Sequence, residues 1–148
     1  MFAFAPQEYI TKIGQYLLTL PQNFEPFTMQ GNDNLLVALQ KGKLPYLNAE
    51  DLNDDVTTCW LDSIANGTAI AYVEEILNIQ KQLPVNSQRQ LIIDIEFICS
   101  VFEDFGLKEY TNLLVILELL KVNTEEFQET CKNKPVRIVS GIRKMRNL

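Results

Sequence analysis

A chain of 148 residues, 47% hydrophobic and 22% charged, carries enough apolar side chains to pack one domain and argues against disorder. It has no histidine, which removes Ser-His-Asp and Cys-His nucleophile activation and the usual zinc sites together. The net charge of −6 is unevenly placed: residues 1–129 hold 19 acidic and 7 basic side chains, and residues 130–148 hold six basic and no acidic ones.

Phe2, Phe4 and Tyr9 make the start of the chain more apolar than a free terminus usually is. They either join the core or mark a surface against which further helices dock. Pro6 suits a first helical turn, and Ile10, Ile13, Leu17 and Leu20 recur on one face, which predicts a helix over about Pro6–Thr19. Pro21 and Pro26 bracket a short helix or turn that points Phe24 and Phe27 inward. A second short helix is predicted at Asn34–Gln40, followed by a surface connection over Lys41–Asp54, rich in Gly, Pro, Asn and Asp.

The stretch from Trp60 to Leu107 reads as two long helices joined by a Pro-containing turn. In the first, Leu61, Ile64, Ala65, Thr68, Tyr72, Ile76 and Ile79 form a stripe, and Trp60, Ile70, Val73 and Leu77 extend it to the far side. A helix that is apolar nearly all round is a central helix with neighbours on several sides. Gly67 and Ala71, four apart, allow a neighbouring backbone to come close. The second helix opens at Ser87–Gln90, a pattern that fits a capping box. Its seam runs Leu91, Ile95, Ile98, Phe102 and Phe105, and Gly106 supplies a left-handed stop.

Downstream, Tyr110–Lys121 is predicted helical with Leu113, Leu117 and Leu120 on one side, although Leu113–Leu117 and Arg137–Val139 also tolerate a strand reading. Thr124 is the expected cap of a short helix to about Cys131, with Glu125 and Glu126 suited to its dipole. Pro135 opens a last helix to about Arg146, whose Ile138, Ile142 and Met145 share a face and are expected to pack on the bundle. With about seven helices and short connections, the fold class is an all-α helical bundle forming a single domain over residues 1–148.

Several segments are distinctive together and in this order: FAFAPQEYITKIGQYLLTLP (residues 2–21), LPQNFEPF (20–27), GKLPYL (42–47), WLDSIANGTAIAYVEEIL (60–77) and QLIIDIEFICSVFEDFGL (90–107). The chain thereby resembles the C-terminal part of subunit 7 of the conserved oligomeric Golgi (COG) complex, a family of chains several times longer. The resemblance implies part of a helical rod in a multisubunit tether on the cytosolic face of the Golgi membrane. That role is non-enzymatic and lies in intra-Golgi retrograde vesicle transport, which keeps glycosylation enzymes in place. It further implies subunits 5, 6 and 8 of the same complex as partners, and no catalytic, cofactor or metal residues.

The residues themselves offer little chemistry. Glu74/Glu75, Glu103/Asp104 and Glu125/Glu126 are neighbours in sequence, so on a helix they diverge by about 100° and cannot flank a substrate. The glycines are isolated and form no phosphate loop. Asp51, Asn53, Asp55 and Asp62 have the spacing of a calcium loop, but Val56 stands where that loop needs glycine. Cys59, Cys99 and Cys131 are far apart and read as reduced, buried thiols on the cytosolic side. No signal peptide is evident, and the longest apolar run, Leu113–Leu117, falls far short of the ~18 residues of a membrane span. The basic last helix leaves one alternative to the tether reading, a peripheral module binding anionic lipid. It has no aromatic residue for base stacking, and the acidic body would repel a nucleic-acid backbone, so nucleic acid is not an expected partner.

Overall fold

The structure, a computed structural model, describes residues 5–28, 37–38, 56–106 and 110–148. Its helices are α1 (Glu8–Thr28), α2 (Val56–Leu77), α3 (Val85–Asp104), α4 (Thr111–Lys121), α5 (Thr124–Thr130) and α6 (Val136–Arg146), with no strand among the described residues. The all-α expectation holds, and the residues at 113–117 and 137–139 that tolerated a strand reading are helical. The predicted short helix at Asn34–Gln40, the connection over Lys41–Asp54, and Phe2 and Phe4 lie outside the described residues, apart from helical positions 37 and 38.

Helix α2 touches α1, α4 and α6, but the tightest packing runs along α1–α3, α3–α4 and α4–α6, so the central-helix expectation holds only in part. The apolar circumference of α2 explains its several neighbours: Ala65, Ala69, Tyr72, Val73, Ile76 and Leu77 are all buried, although they point in several directions. The wider stripe is not wholly internal, since Ile70 is 46% exposed and Trp60 is only partly buried. The seam of α3 behaves as read, with Leu91, Ile95, Ile98 and Phe102 buried and Phe105 packed against the core. Gly106 ends that helix with φ +71°, a left-handed conformation that costs glycine nothing.

Helix α1 corrects the sequence in two ways. It runs through Pro21 and Pro26 instead of breaking before them. Both prolines are exposed, and the packing of Leu20 and Phe24 on the core outweighs the cost of an internal proline. The expected separate turn therefore does not exist. Because the helix continues, Phe27 is rotated away from Phe24: Phe24 packs against the core, whereas Phe27 is 45% exposed. The caps also shift. Helix α3 begins at Val85 after Pro84, so Ser87 lies inside the first turn and makes no capping box. For α5 the cap is Asn123, not Thr124; its side chain accepts from the Glu126 amide at 2.9 Å.

Two close contacts set the helix positions. Where α1 crosses α3, a Cβ on Gly14 would lie 2.7 Å from Phe97 Cε1 and 3.2 Å from Val101 Cγ2, so a larger residue there would have to displace the Phe97 ring. At the other end of the bundle, the final turn of α6 is tied to two other elements. The Met145 carbonyl accepts from the Leu83 amide at 2.9 Å, fixing the α2–α3 connection. Arg146 Nη1 donates to the carbonyls of Leu119 and Val122, each at 2.7 Å, and so satisfies orphan acceptors at the end of α4.

Candidate interaction surface

An apolar trough lies between α1 and α2. It follows about 24 Å of α2 from Trp60 to Ile76. Its wider part has a volume of about 820 Å³, with Ile13, Tyr16 and Leu17 on the α1 side and Trp60, Ile64, Gly67 and Ala71 on the α2 side. A narrower part of about 370 Å³ continues past Ile13 and Ala71 to Tyr9, Tyr72 and Ile76. Gly67 and Ala71 were expected to permit a close backbone approach, and they form the shallow floor of this trough. The Thr68 hydroxyl is satisfied within its own helix, donating to the Ile64 carbonyl at 2.8 Å. Trp60 lines the trough instead of filling the core.

A polar cluster closes the narrow end. Asp94 of α3 is 1% exposed and accepts three hydrogen bonds: from the Gln7 backbone N–H at 2.8 Å, the Tyr9 hydroxyl at 3.0 Å and the Gln90 amide at 3.0 Å. Gln90 also donates to the Ala5 carbonyl at 2.8 Å. The Tyr9 and Tyr72 hydroxyls lie 3.0 Å apart. This buried carboxylate holds the start of α1 onto α3, and its neighbours leave no donor idle. Asp94 was not singled out in the sequence. The available signal was its register, three residues after Leu91 and four before Ile98, which places an acid on an otherwise apolar seam.

Burial is the leading cause of the titration shifts in this region. It pushes Tyr9 up to about 12, with Asp94 adding to the rise and the Tyr72 hydrogen bond opposing it. It raises Tyr72 further, with help from Tyr9 and Asp94. Cys99 rises to about 11, through burial and then the carboxylates of Glu103 and Glu96. For each group the unfolded chain gives up its proton first, so the folded state binds more protons than the unfolded one at high pH. Their contribution is intact below about pH 9 and is lost as pH rises through 10 and beyond. The urea midpoint is therefore expected to fall between pH 9 and 12, and Tyr72→Phe to make that fall shallower. An equally steep fall in the variant would show that Tyr72 does not titrate as a buried group.

Most of the basic segment is paired within the chain, largely at the surface. Arg137 makes a two-bond pair with Glu74, which holds that carboxyl below its ordinary range. Lys134 pairs with Glu118 at 2.9 Å and Lys132 with Glu129 at 2.7 Å. Arg143 donates to Gln128 at 3.1 Å, and the guanidinium groups of Arg143 and Arg146 sit 5.5 and 5.3 Å from the Phe127 ring centre. Lys144 takes part in none of these contacts. Ile138, Ile142 and Met145 are buried, as the shared face predicts.

The paired carboxylates do not converge on a site. Glu74 is held by Arg137 while Glu75 is exposed, and Glu103 accepts from Tyr110 at 3.2 Å. Cys59, Cys99 and Cys131 are free thiols, only the first two buried. Of the calcium-type cluster, Asp51, Asn53 and Asp55 lie outside the described residues, and among the described residues no group of three acidic or cysteine side chains is placed to hold a metal.

The comparisons with known proteins agree with one another. Subunit 7 of the conserved oligomeric Golgi complex from Rattus norvegicus is 38% identical over 151 residues, covering 99% of this chain and 20% of the relative. The Homo sapiens protein of the same name is 36% identical with the same coverage. The Drosophila melanogaster protein is 39% identical over 147 residues, covering 99% of the chain and 19% of the relative. The chain thus spans about a fifth of the length of the curated relatives it matches. No solved structure matches it. The family pattern of Golgi complex component 7 (COG7) matches residues 1–147, and the chain belongs to that family.

Proposed function

We propose that this chain is part of a non-enzymatic subunit of the conserved oligomeric Golgi complex. In this reading it acts within a tether for retrograde vesicles moving inside the Golgi, and so helps keep glycosylation enzymes in place. The observation that carries the proposal is the match to one family over essentially the whole chain. The fold is compatible with it: Lys134 and the charged side chains of α6 join helices to one another and do not converge on a cleft. The partners proposed are other subunits of the complex, with subunits 5, 6 and 8 foremost, and attachment to the cytosolic face of the Golgi membrane is peripheral. No described helix is long and apolar enough to cross a membrane.

The lipid-binding alternative is the weaker reading. Of the six basic residues after Thr130, five are already engaged with carboxylates, an amide, backbone carbonyls or an aromatic ring. Lys132 and Arg137 remain exposed within their pairs, so the reading is weakened only by the competition of those carboxylates for the same cations.

Affinity capture of the folded chain from a cell extract, with mass spectrometry of what is retained, tests the proposal. Recovery of other COG subunits is the expected result. A chain shown to be folded that retains none of them would overturn the view that this portion carries an assembly contact.

A further inference from the structure

We draw no further inference here: the strongest candidate, the apolar trough between α1 and α2 floored by Gly67 and Ala71, carries none because nothing in the structure shows what covers it.

Discussion

Phe102→Ala is expected to remove about 3–5 kcal/mol of folding stability, the range for deleting a buried aromatic side chain. Phe102 is 0% exposed and heads the largest fully buried side chains. It sits on the α3 seam one turn beyond Ile98, and its ring meets that of Tyr110 with centres 5.6 Å apart, tilted by 43°. Truncation to alanine loses the transfer energy of the ring, this aromatic contact, and the packing around the cavity left behind. The site cannot collapse readily, because α3 is wedged between α1 and α4. Against a total stability of about 5–15 kcal/mol, the loss is a large share of the fold. Urea denaturation of both proteins measures it, through a lower midpoint at unchanged slope. A loss below about 1 kcal/mol would mean that Phe102 is not where the core is densest. Phe97 and Phe105, which are only partly buried, are poorer targets for the same experiment.

Asp94→Ala is the second large effect, expected at about 3 kcal/mol. It removes the acceptor of three hydrogen bonds and leaves a backbone N–H, a phenol and an amide, all part-buried, without their shared partner. The loss is local in origin, because Gln7, Tyr9 and Ala5 are all at the start of α1. Native-state hydrogen exchange should therefore show α1 amides losing more protection than those of α4 and α6. Asp94→Asn keeps one carbonyl oxygen and should recover part of the deficit. If the alanine variant weakens every helix equally, or none, the carboxylate is not the anchor of α1.

These two residues also mark where the sequence was legible. Phe102 is visible because its neighbours on the seam are three and four positions away, and helical periodicity is a local property. The same holds for the buried face of α6 and for the stop at Gly106. Asp94 and Gly14 were not read, because their partners are distant in sequence: Gln7 is 87 residues from Asp94, and Gly14 meets Phe97 and Val101 across a helix crossing. No window along the chain contains both sides of such a contact. The prolines of α1 misled for the opposite reason. Their local preference is to end a helix, and the packing of Phe24 and Leu20 on the core outweighs it. At Trp60 periodicity gave the right helix, but residue size alone could not say which side of α2 lines the trough. The family resemblance was carried by packing and turn patterns in a particular order, which is why it survived where single-residue assignments at caps did not.

The last turn of α6 has a genetic consequence. Met145 and Arg146 hold the α2–α3 connection and the end of α4, which lie far upstream in sequence. An allele that removes Met145 and Arg146 would leave every described helix before α6 intact in sequence and still undo the ties on the α2–α3 connection and on the end of α4. Its expected first effect is a loss of stability in this piece, which in a cell reads out as lower abundance.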